Sequence, residues 1–282
     1  DALKLFDSSV LEKPVGEIWN DYDIIGCYDT EYCPHDGFEK HIDPARVNFL
    51  LSMQLSIFYK HGDDWEYAEG LRKPDGYRPE LADVAGWALD LAHIPRRTEE
   101  AVKVLLVAHF SVAEWSMLSD RQDLKPLLTP IGKTVVTLAP IKLAAKRPGR
   151  HTTPAAVTIR DTMLLTPGRG SLDKASQVTP VKKLRLGDYG HSAADMLKLL
   201  YEAPEIFDEY AITDTRAGLA YLVILGNKVE DIIGVPNLPV TLGGMSATGF
   251  LVWQRDWGYG YDHYHGREKK IIFEDGKQKE IS

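Results

Sequence analysis

Asp29 and Glu31 stand one residue apart in Tyr28-Asp29-Thr30-Glu31-Tyr32, directly after the apolar run Ile24 to Tyr28. Such a run predicts a buried central strand, which leaves the acids at its end. Residues two apart on a strand point to the same face, so the two carboxylates lie side by side. Adjacent anions repel unless a cation sits between them, and hard oxygen ligands favour Mg2+ or Mn2+. A second pair, Tyr210 and Asp214, is spaced i and i+4, which brings a phenol and a carboxylate to one face of a helix. Carboxylates that hold two ions can hydrolyse a phosphodiester, one ion activating water and the other stabilising the leaving oxygen. A tyrosine hydroxyl could orient that water. Each pair also has an ordinary reading. Asp-x-Glu occurs in surface loops, and Tyr210 could fill a core while Asp214 faces solvent.

The elements that must bring these pairs together follow from periodicity. Val47 to Tyr59 alternates over its second half and reads as a neighbouring strand, with Gly62-Asp63-Asp64 as its exit. Pro79 to Ile94 has helical spacing behind a proline start, and Thr98-Glu99-Glu100 reads as a further helical turn. Lys103 to Ala108 is the clearest buried strand and leads through His109-Phe110-Ser111 into a helix near Val112, a junction of the kind where α/β proteins place chemistry. Thr134 to Leu138 and Ala155 to Ile159 read as strands, separated by a basic loop at Lys142 to Arg150. Ala193 to Tyr201 and Pro204 to Leu225 read as helices, the second ending at Gly226-Asn227. From Lys228 the chain turns loop-rich and aromatic, which divides it into a domain over 1–227 and an appendage over 228–282.

Composition narrows the classes. At 282 residues, 44% hydrophobic and with no apolar run long enough to span a bilayer, the chain reads as a soluble globular protein without a membrane partner. It opens on Asp1-Ala2-Leu3-Lys4, with neither an initiator methionine nor the layout of a signal peptide, as an excised or processed fragment would. Cys27 and Cys33 are too few for a disulfide framework and suit a reducing, cytoplasmic setting such as that of a bacterial, phage or plasmid host. A formal charge of −8 argues against a general nucleic-acid coat protein. From Lys133 to Arg185, however, eleven Lys or Arg face only Asp161 and Asp173, a net of +9 that leaves −17 elsewhere, so one face could hold a polyanion. A solvated basic loop explains that stretch equally well. Asp161 and Asp120 read as caps or surface acids, and His263 and His265 as part of an aromatic turn.

The three segments in order resemble a known family. Asp29-Thr30-Glu31 resembles the first motif of the DEDD 3′-to-5′ exonucleases, and Tyr210 with Asp214 is similar to the third motif of their tyrosine-bearing branch. The stretch Ala108 to Leu118 resembles the second motif, with Glu114 where the family has a metal-ligating Asp. Ser171-Leu172 resembles the motif that holds the single-stranded 3′ end, and Lys183 the catalytic lysine of the proofreading domains of family B DNA polymerases, the protein-primed phage and linear-plasmid type above all. Neighbouring Lys182 competes for the lysine's place, and Phe110 stands where many of these enzymes have Asn. Leu238 to Gly244 looks like the passage towards a polymerase portion, attached or associated, although no polymerase motif follows.

The resemblance implies a ribonuclease H-like α/β fold, a mixed sheet flanked by helices. It implies two Mg2+ or Mn2+ ions on Asp29, Glu31, Glu114 and Asp214, with Tyr210 and Lys183 assisting. His109, Phe110, Ser171, Leu172 and Lys183 would contact the 3′ end of single-stranded DNA. Glu114, one methylene longer than Asp, leaves as an alternative to proofreading-type hydrolysis a non-catalytic module that binds single strands, and an RNA-directed exonuclease on the same fold is a third reading.

Overall fold

The computed structural model describes residues 6–34, 48–74, 77–95, 98, 100–149, 151–233, 238–256, 270–274 and 277–281. The chain runs through β1 (Ile24–Pro34), β2 (Asn48–His61), β3 (Asp64–Arg72), α1 (Leu81–Leu91), β4 (Val102–Ala108), α2 (Ser111–Ser116) and α3 (Arg121–Leu124). It continues with β5 (Thr129–Ile131), β6 (Thr134–Val136), β7 (Ile141–Arg147), β8 (His151–Asp161), α4 (Leu172–Ser176) and α5 (Met196–Glu202). The last elements are α6 (Pro204–Ile233), α7 (Leu242–Asp256), β9 (Lys270–Glu274) and β10 (Lys277–Ile281).

Six strands form one mixed sheet in the order β3-β2-β1-β4-β8-β7. β1, β4 and β8 run parallel, and β2, β3 and β7 are antiparallel to their neighbours. β4 lies inside the parallel part, which is why its sequence after the exposed Lys103 is an apolar run with no alternation. One face buries Ile24, Tyr28, Leu55 and Val104 with Val84 and Leu89 of α1 and Trp115 of α2. The other buries Ile25, Cys27, Leu105 and Val107 under α6. The fold is therefore α/β, a mixed sheet flanked by helices, compatible with the ribonuclease H-like type. Among the described residues no helix is long and apolar enough to cross a membrane.

Four elements differ from the sequence expectation. The basic loop is an edge strand: Ile141, Ala145 and Arg147 of β7 turn inward while Lys142, Ala144 and Lys146 turn out. Arg147 is inward yet satisfied, its guanidinium donating to Asp90 and to the carbonyls of Ile94 and Pro95. Thr134 to Val136 is a strand as expected, but it ends two residues early and pairs with β5 in a hairpin apart from the main sheet. Thr98 and Glu100 are not helical, and β4 begins at Val102.

Finally, α6 does not stop at Gly226-Asn227 but runs on to Ile233, so the division expected between 227 and 228 falls inside a helix. The pair forms a dock instead of a cap. A Cβ on Gly226 would stand 2.1 Å from the Trp19 ring. Asn227 accepts from the Trp19 indole (2.8 Å) and the Val15 amide (3.0 Å), and Glu230 accepts from the amides of Glu17 and Ile18. His263 and His265 lie outside the described residues.

Candidate functional site

Asp29 and Glu31 occupy the far half of β1, opposite Gln54 and Ser52 of β2, on the face that α6 covers. The β1–β2 register slips directly after Glu31, between it and Tyr32. An irregularity of this kind bends a strand and re-aims the side chains beside it. Asp214 arrives from α6, and one carboxylate oxygen from each of Asp29, Glu31 and Asp214 lies within 4.8 Å of the others.

The approach of α6 to β1 depends on a missing side chain. One turn after Asp214, a Cβ on Gly218 would stand 2.5 Å from the sulfur of Cys27, which itself lies two residues before Asp29. Just beyond Asp214, the buried Arg216 guanidinium donates to both carboxylate oxygens of Glu69 on β3, at 2.7 and 2.6 Å. A fork-to-fork pair of this type fixes orientation as well as distance.

Glu114 comes from the first turn of α2, which packs on the opposite face of the sheet. One of its oxygens accepts from the Thr30 hydroxyl at 2.5 Å, and its carboxyl neighbours Asp29, whose charge adds to burial in pushing its pKa up. Glu114 therefore meets Asp29 but is not one of the three carboxylates that converge. Thr30 was not foreseen as part of the site. The signal was present, because the residue between two same-face acids must point to the other face, where α2 lies.

Burial and crowding leave the carboxyls reluctant to ionise. Burial first, and then the neighbouring Asp214, push Asp29 up to about 8. Burial with Asp29 and Asp214 raises Glu31 well above the usual carboxylate range, and burial with Asp29 does the same to Glu114. Burial also raises Asp214, against the opposing pull of Lys183. The Lys183 ammonium pairs with Asp214 and lies 5.1 Å from the centroid of the Tyr210 ring. Burial disfavours its charge, but Asp214 and Tyr210 outweigh that and keep it above the ordinary lysine range. Tyr210 is pushed up to about 12, by burial and then by Asp214, so its hydroxyl keeps its proton and can donate it to an acceptor in a hydrogen bond.

Lys182 and Lys183 are clearly separated. Lys182 donates to the carbonyls of Ser176 (3.1 Å), Gln177 (2.7 Å) and Thr179 (2.7 Å) and so caps the end of α4. Lys183 alone enters the acidic cluster. Beside it opens a cleft of about 440 Å3, lined among others by Gln177, Arg185, Asp188 and Tyr189.

The residues expected to touch nucleic acid divide. Ser171 is exposed just ahead of α4, whereas Leu172 is buried and anchors that helix in the core. His109 has both ring nitrogens engaged, one with Thr162 and the other with the Gly170 carbonyl, each at 3.0 Å, and burial lowers its pKa. Phe110 is half-buried in the left-handed region at φ 74°. Asp161, fully buried at the end of β8, accepts from the amides of Phe110, Ser111 and Met163. It is a cap, as its position suggested, and it holds the turn that launches α2 and Glu114.

The donor set fits a hard divalent cation. Three carboxylates converge with raised pKa values, and the buried Oδ1 of Asp214 has no hydrogen-bond partner. A buried acceptor left unpaired costs about 1–3 kcal/mol, a penalty that an ion would remove. Compared with known proteins, the chain matches no family model, and no curated protein matches it.

Proposed function

We propose that this chain is a metal-dependent 3′-to-5′ exonuclease acting on single-stranded DNA ends, akin to the proofreading domains of family B polymerases. The observation that carries this is the convergence of Asp29, Glu31 and Asp214 around an unpartnered Asp214 oxygen, with Lys183 and Tyr210 alongside. The three carboxylates would hold Mg2+ or Mn2+, and Glu114 would join as ligand of a second ion by giving up Thr30. When bound, the metal supplies Lewis-acid polarisation of the scissile phosphodiester and of the attacking water. Lys183 keeps a positive charge near the phosphate and offsets the negative charge that builds up on it. Tyr210 keeps its proton, so its hydroxyl orients water or phosphate oxygen as a hydrogen-bond donor, not as a base. Hydrolysis of the terminal bond would release a nucleoside 5′-monophosphate. A polymerase portion, attached or associated, is the partner this assignment implies.

A second reading rests on Glu114. Its carboxyl is committed to Thr30 and stands outside the converging three, which suits a module that binds single strands without cutting them. Incubating a 5′-labelled single-stranded oligonucleotide with Mg2+ or Mn2+ separates the two. We expect stepwise shortening that Asp29→Ala and Asp214→Asn abolish. Shortening that persists in both variants would refute the site, and binding without shortening would favour the module. An RNA oligonucleotide run in parallel tests the choice of sugar.

A further inference from the structure

The +9 stretch is not a uniform basic face. Lys146 pairs with Glu80, Arg147 with Asp90, Lys183 with Asp214 and Arg185 with Asp173. Lys182 caps α4, and Arg160 donates to the carbonyls of Thr137 and Ile159. Arg150 lies outside the described residues. Four exposed cations in the stretch have no ion pair among the described residues: Lys133, Lys142, Arg169 and Lys174.

Three of these four gather at one place. Arg169 lies against the β5–β6 turn, where a Cβ on Gly132 would stand 2.6 Å from its Nη1, so its guanidinium touches the residue that precedes Lys133. On its other side, a Cβ on Gly170 would stand 3.3 Å from Cδ of Lys174. Exposed Ser171 follows Gly170 directly. Lys142 lies apart, on the edge strand β7.

The position of this cluster relative to the carboxylates is set by hydrogen bonds and register. The Gly170 carbonyl accepts from His109, which follows the last residue of β4. Val107 of β4 pairs with Cys27, two residues before Asp29. The cations therefore stand at the same end of the parallel strands as the acidic cluster. Arg169 is held in the left-handed region at φ 52°, like Phe110 at φ 74°, and the His109–Gly170 bond ties the two turns together. Non-glycine residues adopt that region at a cost, and surrounding structure must hold them there.

We propose that Arg169, Lys133 and Lys174 form a phosphate-gripping rim that binds the backbone of the single strand entering the site. This rests on the exonuclease or single-strand-binding reading above. Cations without counter-ions on adjoining turns suit a polyanion, and successive phosphates of a strand would neutralise them. An arginine at the centre can take a phosphate through two parallel hydrogen bonds.

Binding of the whole chain to a fluorescent single-stranded oligonucleotide, followed by anisotropy in EDTA from roughly 50 to 200 mM KCl, tests this. Each phosphate contact contributes about 0.7 to the slope of log affinity against log salt. Arg169→Gln should lower the slope by about that amount, which is about a 2.6-fold smaller loss of affinity across the fourfold salt range. Arg169→Lys, which keeps the charge, should retain the slope, and Lys142→Gln should match wild type. A slope unchanged in Arg169→Gln while wild type binds, or an equal drop in Lys142→Gln, would overturn the rim and leave the exonuclease site standing. Failure of the wild-type chain to bind single strands would overturn both.

Discussion

Replacing Gly218 by alanine tests whether the α6–β1 approach sets the site. A Cβ there would stand 2.5 Å from the Cys27 sulfur, whereas atoms in contact settle near 3.5–4 Å, so helix and strand must part by about 1 Å. Helix propensity alone would make Gly218→Ala stabilising by about 1 kcal/mol. Overpacking a well-filled interface costs about 1–3 kcal/mol, so we expect a net loss of about 1 kcal/mol. The effect on rate should be larger. Gly218 is one helical turn from Asp214, and Cys27 two strand residues from Asp29, so the displacement falls on the separation of the two carboxylates. A 1 Å error in such a site can cost about 100-fold. Removing the sulfur should reverse it, because the next atom the new Cβ meets is Cβ of Cys27, at an ordinary 3.7 Å. Cys27→Ala alone should cost about 1 kcal/mol and little activity. The double variant should recover most of the rate, with a coupling energy in the 0.5–3 kcal/mol range typical of touching residues. Cleavage of the labelled oligonucleotide and urea unfolding of all four proteins measure both quantities. Gly218→Ala active within threefold of wild type, or a double variant no faster than Gly218→Ala, would refute the argument.

Other outcomes follow from the same geometry. Asp29 is raised to about 8 in the fold, far above an unfolded carboxyl. Between those limits the folded state binds more protons than the unfolded, so in EDTA the melting temperature should fall as pH rises from about 5 to about 8. Mg2+ should restore it at the upper end, and an EDTA curve that climbs through this window would contradict the electrostatics. Lys183→Ala should reduce cleavage by about 100-fold or more, whereas Lys182→Ala should cost about 1 kcal/mol in urea with nearly full activity; equal rates would erase the distinction between them. Phe110→Gly should be more stable than Phe110→Ala by about 1 kcal/mol, the reverse of the usual order, because only glycine adopts φ 74° without strain. Glu114→Asp should lower stability and leave cleavage no faster, since a shorter side chain loses the Thr30 hydroxyl; a faster enzyme would show that length was the defect.

Much of this was legible because it is local. The run before Asp29, the strand of Lys103 to Ala108 and the spacing of Tyr210 and Asp214 each follow from one short segment, and each is where periodicity places it. What escaped depends on contacts between distant segments. β7 looked like a loop because its lysines face solvent and its one inward charge, Arg147, is satisfied by α1 and the residues after it. Gly226-Asn227 looked like a helix end because its Trp19 partner lies more than 200 residues away. The basic stretch looked like a single face because pairing with Glu80, Asp90 and Asp214 cannot be seen in its own sequence.

Glu114 shows how that limit bears on function. As a letter it differs from Asp by one methylene, which frames the question as one of reach. In the fold its path is the larger variable. Asp161 fixes the turn before α2, α2 packs on the face opposite to α6, and Glu114 bonds Thr30 from there. Three of the four acids thus converge under α6, and the fourth is held by Thr30 on the side of α2. A cation bound by the three would leave Glu114 outside the site unless it gave up Thr30. Whether Glu114 then becomes a ligand is decided by how far α2 can move, and Asp161 is what limits it.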